Sequence, residues 1–359
     1  VAEVKIMSQY NYLLKPVCRK LENWFYKKIG YEIPCNVRHT INALWEETDI
    51  RPKIYQERKS WGWEFKIYVA PGDSHSDIIK CSGNFESITG CECTFFSKGK
   101  ALIMRVIEKP IGKHYKFILE DIGINDYEIK LPIGYDVHGE LQAFTLDNTY
   151  HVLVGGPTRT GKSNTLSGWI YTLLNSPLQP EIIVGDCKRC EFSYLKNKIK
   201  LFTTVEEIEG ALEAVELEMR RRMDLFYDVE CENFKEYRKY YGEIKRIVVI
   251  IDELGEVKSK KAIAHIDALL RLAAATGIHL ILASQRPSSS FLGKESKFGD
   301  LKSNLIGRLA FSCSSKIDTN MILDQYVTMK KIPGRALWRT TDDALIEIQA
   351  PFFDRRAMS

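Results

Sequence analysis

No stretch of this sequence is apolar enough, for long enough, to cross a bilayer. Its densest apolar run, Ile247–Ile251, falls far short of the roughly 18 residues that a spanning helix needs. The start shows no secretory layout of basic residues, apolar middle and small-residue cleavage site. Charge imbalance is also missing: 51 Lys and Arg against 47 Asp and Glu leave a net charge of +4, so net charge alone cannot argue for nucleic acid. The nine cysteines are odd in number and scattered, which argues against a disulfide scaffold and for a reducing, cytoplasmic compartment. Cys91-x-Cys93 and Cys187-x-x-Cys190 each offer half a zinc site, but neither has the clean second pair that a structural site wants. There is no internal repeat and no low-complexity tract. The first residue is Val1, so either Met7 is the native start or this is the soluble part of a longer, membrane-anchored protein.

What is present is an ordinary globular composition, 45% apolar and 27% charged over 359 residues, enough for two domains and a large core. Residues 1–30 read as a helical segment, with apolar residues at helical spacing from Lys15 to Tyr26. Residues 31–135 read as a small α+β domain, with strands expected at Phe65–Ala70, Cys93–Phe96 and Ala101–Ile107. From 136 to 359 short apolar runs alternate with helical stretches. The runs are His151–Val154, Ile182–Val184, Ile247–Ile251, Leu280–Ala283 and Leu309–Cys313. Buried runs separated by helices predict an α/β fold with a mainly parallel sheet covered on both faces. The stretch Glu206–Phe226, acidic at its start and carrying Arg220 to Arg222 near its end, predicts an amphipathic helix matched to its own dipole.

Three strand ends carry chemistry. Gly156-Pro157-Thr158-Arg159-Thr160-Gly161-Lys162-Ser163 is a complete phosphate-binding loop. It follows the run His151–Val154 and opens a helix running from Asn164 to Leu174, the setting the motif requires. Its glycines let the backbone close around phosphate, where N–H groups and the helix N-terminus supply positive potential. Lys162 is expected to reach the β- and γ-phosphates of ATP, and Ser163 to ligate Mg²⁺. The second strand end is Asp252-Glu253, after Ile247–Ile251: Asp252 to hold Mg²⁺ through water, Glu253 to polarise the attacking water. The third is Gln285, after Leu280–Ala283, at a carboxyl end where α/β sheets bind ligands, placed to sense the γ-phosphate. His279 lies inside that run and reads as a core histidine.

With these segments in hand, residues 131–349 resemble the FtsK/SpoIIIE family. The resemblance rests on Leu131-Pro-Ile-Gly-Tyr-Asp136, the phosphate loop, Asp186-Cys-Lys188 with Glu191-Phe192, and the helix around Glu218-Met219-Arg-Arg221. It continues through Asp252-Glu253-Leu254, Gly277-Ile-His-Leu-Ile-Leu-Ala-Ser-Gln-Arg-Pro287, Arg308-Leu-Ala-Phe and Ile322-Leu-Asp324. It implies a RecA-like P-loop ATPase core preceded by a smaller α+β domain. It also implies a homo-oligomeric ring, usually six subunits, with ATP between subunits and double-stranded DNA in the channel. In that setting Arg308 is expected to be the finger reaching a neighbour's γ-phosphate. Lys188, Arg286, Lys294, Lys297 and Lys302 are expected to meet the DNA backbone. Cys187 replaces the family's usual Pro, Ala274 stands where an Arg is frequent, and the turn after Asp324 differs. The sequence ends at Ser359, without the winged-helix module of chromosomal relatives. The resemblance is therefore to members from conjugative elements, plasmids or phages, with a relaxase or membrane-pore protein as a further partner and no membrane insertion by this chain. A protein-export motor and a non-translocating docking scaffold are the competing readings, and a single-strand motor is a variant of the first.

Overall fold

The computed structural model describes residues 53–69, 74–80, 91–285, 302–312, 316–325, 327, 329, 331–340 and 344–358. The segment 1–30 and the lysine-bearing loop with Arg286, Lys294 and Lys297 lie outside the described residues. The chain divides into two compact units, Val1–Pro110 and Ile111–Ser359.

In the first unit, β1 (Lys53–Lys59), β2 (Gly62–Tyr68), β3 (Glu92–Lys98) and β4 (Ala101–Ile107) form an antiparallel sheet of order β1-β2-β4-β3. Period-two alternation puts Trp63, Phe65 and Ile67 on one face with Phe95, Leu102, Met104 and Val106, and Ile79 of α1 (His75–Lys80) joins that core. On the other face Arg105 lies over the Phe96 ring at 4.6 Å and pairs with Glu64 at 3.0 Å.

The second unit is built on a ten-stranded sheet. Its strands are β5 (Lys130–Tyr135), β6 (Leu141–Thr145), β7 (His151–Gly155), β8 (Glu181–Gly185), β9 (Lys200–Phe202), β10 (Ile247–Ile251), β11 (Ile278–Ser284), β12 (Gly307–Phe311), β13 (Arg335–Arg339) and β14 (Leu345–Gln349). Their order is β6-β5-β14-β13-β12-β7-β11-β10-β8-β9. From β9 to β12 all pairings are parallel. From β12 through β13, β14 and β5 to β6 they are antiparallel. Every residue of β7, β10, β11 and β12 is buried, as continuous apolar runs in a covered parallel sheet demand. The boundary expected at residue 135 falls inside this sheet, because β5 pairs with β14 and β6; the compact units part at Pro110 instead.

Helix α2 (Lys162–Leu174) buries Leu166, Trp169, Ile170 and Leu173, and the Trp169 indole donates to the Pro132 carbonyl of β5 at 2.5 Å. Helix α3 (Val205–Asp228) begins with a capping box in which Thr204 and Glu207 satisfy each other's backbone donors. Its buried stripe, Ile208, Leu212, Val215, Met219, Arg222 and Phe226, has the spacing of one helical face. Arg222 does not share the exposure of its two neighbours. Arg220 and Arg221 are exposed, whereas Arg222 is inside and donates to the Thr276 and Lys245 carbonyls, both at 2.9 Å, while paired with Glu218. The remaining helices are α4 (Phe234–Tyr240), α5 (Lys260–Leu272) and α6 (Lys316–Leu323). No described helix is long and apolar enough to cross a membrane.

His279 is fully buried. One ring nitrogen, Nε2, meets the Arg246 guanidinium at 3.0 Å and the other, Nδ1, meets the Tyr150 carbonyl at 3.2 Å. It is a core histidine, as expected, held neutral by burial.

Candidate active site

Three neighbouring strands deliver the groups that the sequence singled out. In the order β7-β11-β10-β8, the carboxyl ends of β7, β11 and β10 carry the phosphate loop, Gln285 and the pair Asp252-Glu253. The loop is tied down at both ends: the Gly156 N–H donates to the Ser284 carbonyl at 3.1 Å, and the Gly334 N–H donates to the Thr160 carbonyl at 2.7 Å. Gly161 has φ of 121° and its virtual Cβ would meet Phe311 and Gly334 at 3.0–3.1 Å, so only glycine fits there. Arg159, with φ of 66°, takes the left-handed turn that wraps the loop.

Lys162 lies inside this wrap. Its ammonium donates to the Asp252 carboxylate and to the Asp252 carbonyl, both at 2.7 Å, with the two side chains 2% and 1% exposed. Burial pushes the Asp252 carboxyl above the usual aspartate range, and the Lys162 ammonium offsets that only in part. The second Asp252 oxygen, Oδ2, is buried with no described hydrogen-bond partner. A buried, orphaned carboxylate oxygen beside the phosphate loop, with Ser163 on the first turn of α2, is a donor set suited to Mg²⁺.

Glu253 is engaged on both oxygens. Its Oε1 accepts from the Ser284 hydroxyl at 3.1 Å and the Gln285 N–H at 3.2 Å; its Oε2 accepts from the same N–H and from the Lys188 ammonium at 3.3 Å. The Gln285 side-chain carbonyl accepts from the Thr158 hydroxyl at 3.0 Å, which links the third strand end to the phosphate loop.

A cavity of about 900 Å³ opens at the phosphate loop. One wall is Pro157, Thr158, Arg159, Gly161, Lys162, Ser163 and Asn164, with Gln285. Asn164 also pins the C-terminal segment, exchanging two hydrogen bonds with the Phe353 backbone. The facing wall, Lys113-His114-Tyr115, Lys331 to Gly334 and Phe352, has no sequence motif to announce it. Tyr115 stacks on Tyr135 with ring centroids 4.1 Å apart.

Arg308 and Lys302 are placed differently from expectation. Arg308 is 5% exposed and donates to the carbonyls of Leu305, Ile322 and Lys302, with an ion pair to Asp324. Lys302 is also buried on Asp324, and Arg339 adds a third cation at 3.4 Å. Burial would raise the Asp324 carboxyl, but hydrogen bonds from Lys302 and Arg308 outweigh it and hold the group below its usual range. The three cations thus gather on Asp324, just past the end of α6, and Arg308 ties them to the Leu305 and Lys302 carbonyls. Lys188, by contrast, is one-third exposed and touches the Glu253 carboxylate.

A phosphate-binding loop, an acid pair and a polar strand-end residue on a mainly parallel sheet define a P-loop nucleoside triphosphatase. Residues 124–289 match the model of the FtsK/SpoIIIE family. Among curated relatives, it is 32% identical over 228 residues to the DNA translocase FtsK of Staphylococcus epidermidis, an alignment spanning 58% of this chain and 28% of that protein. It is 34% identical over 229 residues to the FtsK of Treponema pallidum, spanning 59% and 28%. The matched region is thus just over a quarter of those relatives' length. Among solved structures, the pCW3 conjugation coupling protein TcpA, in monomer form with ATPγS, matches 88% of this chain and 94% of its own, with a TM-score of 0.65 at 21% identity. The type VII secretion ATPase EccC of Thermomonospora curvata matches 68% and 29%, with a TM-score of 0.54 at 19% identity.

Proposed function

We propose that this chain is the motor part of an ATP-driven translocase acting on double-stranded DNA. The observation that carries the reading is the convergence of Lys162, Asp252, Glu253 and Gln285 at adjacent strand ends beside the phosphate loop, among the residues that match the FtsK/SpoIIIE family model. ATP lies in the cavity with its phosphates on the N–H groups of Gly156–Ser163. Lys162 leaves Asp252 for the β- and γ-phosphates. Ser163 and Asp252 hold Mg²⁺, which supplies charge neutralisation on the phosphates when bound. Glu253 orients the attacking water, and Gln285, linked to Thr158, reports the γ-phosphate to the loop that follows it. Lys188 contacts the DNA backbone together with Arg286, Lys294 and Lys297. The working form is a homo-oligomeric ring, six subunits being the family's usual number, and Arg308 reaches a neighbour's nucleotide only by leaving its cage around Asp324. The absence of charge bias in the whole chain is consistent with a DNA contact confined to loops.

The test is ATP turnover with and without long duplex DNA, at low and moderate salt, for the native chain and Glu253→Gln. Duplex stimulation that salt weakens and the variant abolishes is the expected result. Turnover indifferent to any DNA refutes the reading and puts polypeptide export or a docking scaffold in its place.

A further inference from the structure

The catalytic carboxylate sits between two strands with donors of different kinds. On the β11 side, the Ser284 hydroxyl and the Gln285 N–H are fixed by the sheet. On the β8 side the only donor in the described contacts is the Lys188 ammonium, at the end of a long side chain that remains 34% exposed. The loop that carries it is rigid. The Asp186 carboxylate, buried at the end of β8, accepts from the N–H groups of Lys188, Arg189, Glu191 and Phe192, at 3.0–3.1 Å. Arg189 takes a left-handed φ of 59° to complete the turn. Gly185 of β8 lies opposite Ile251 of β10, so the turn after β8 opens beside the pair Asp252-Glu253, and the Lys188 ammonium reaches Glu253 at 3.3 Å. The backbone is therefore set, and the ammonium is the movable part.

An ammonium on Oε2 takes up an acceptor site there and offsets the negative charge that would draw a water's proton. With Lys188 in place, both oxygens of Glu253 are occupied, and Lys162 is likewise on Asp252. We propose that Lys188 is a positioning residue that restrains Glu253 in this idle arrangement, and that a DNA phosphate releases it by drawing the ammonium away. The proposal rests on the duplex-DNA reading above. Lysine suits the role, because it binds phosphate as a point charge without the planar fork that would lock arginine onto a carboxylate. DNA binding and hydrolysis are then coupled through one side chain: the cation that meets the polymer is the one the catalytic acid must lose.

The experiment compares wild type, Lys188→Met and Lys188→Arg in steady-state turnover, with and without long duplex DNA, reading kcat and KM separately. A part-exposed ion pair is worth up to about 1 kcal/mol, or roughly a fivefold change in rate. Lys188→Met is expected to raise the DNA-free kcat about fivefold, leave KM for ATP unchanged, and shrink the stimulation by DNA. Lys188→Arg, whose planar fork grips the carboxylate more firmly, is expected to lower the DNA-free kcat below wild type and to weaken the stimulation by DNA. A DNA-free kcat in Lys188→Met at or below wild type overturns the restraint. Wild-type turnover that ignores DNA defeats the proposed function, and the DNA-free kcat of Lys188→Met still decides the restraint, since no DNA enters that measurement.

Discussion

Replacing Lys162 with methionine tests the site's energetics independently of any turnover. The substitution keeps the length of the side chain and removes the cation that pairs with Asp252 in a space where both are almost fully buried. Removing one partner of such a pair costs about 3–5 kcal/mol, because a buried carboxylate is left without its counter-charge. For a unit the size of Ile111–Ser359 that corresponds to a fall in Tm of about 10 °C. The pH dependence gives the loss its signature. Burial already raises the Asp252 pKa, and without Lys162 nothing offsets that rise. A carboxyl whose folded pKa lies above its unfolded value, about 3.9, destabilises the fold increasingly as pH rises from that value to the folded pKa. Thermal unfolding of the nucleotide-free protein is therefore expected to show a deficit that is large at pH 8 and smaller at pH 5. Asp252→Asn in the same chain, which cannot ionise, should recover most of it. A Lys162→Met protein that melts within about 2 °C of wild type at pH 8, or a gap that ignores pH, would refute the buried pair as an energetic unit.

Other expectations follow from single contacts. Glu253→Gln keeps the shape of the side chain but loses its charge and one of its two acceptor oxygens, so turnover should fall at least about 100-fold while a fluorescent ATP analogue still binds. Arg308→Met abandons the Leu305, Ile322 and Lys302 carbonyls and should lower urea stability by about 2–4 kcal/mol in the monomer; a variant of native stability would refute that cage as an energetic unit. His151 has its pKa lowered from 6.5 to about 4 by burial. Its neutral form is the one that folds, so its stabilisation is present above pH 6.5 and is lost as pH falls toward 4, about 3 kcal/mol in all. His279, lowered further by burial and Arg246, adds to the same slope; urea titrations between pH 7 and 5 that show no loss of stability contradict both.

The parallel half of the sheet and the nucleotide-facing strand ends were legible because their signals are local. A run such as Ile247–Ile251 ending in two acids, or Leu280–Ala283 ending in Gln285, carries both burial and chemistry within a few residues. The antiparallel half was not, since β13 and β14 carry no motif and pairing direction leaves no trace in hydrophobic periodicity. The cations failed for a related reason. Lys302 and Arg308 read as ligand-facing until the fold supplies a partner in Asp324, and nothing in the spacing of the helix around Arg222 announces its burial on Glu218. Lys188 was expected to face a ligand, yet its contact with Glu253 joins residues 65 apart and no spacing rule reaches that far.

The seating of β14 between β13 and β5 governs the order in which the second unit can be made. β5 and β6 leave the ribosome early, with Leu131, Ile133 and Phe144 destined for the main core, yet the strand that joins them to the rest of the sheet ends at Gln349. Until then the strand edges of the early hairpin have only each other to pair with, although its apolar face can already meet Trp169 of α2. A nascent chain stopped anywhere before β14 lacks that join, so truncation from the C-terminal side should fail abruptly at residue 345, rather than eroding stability by degrees.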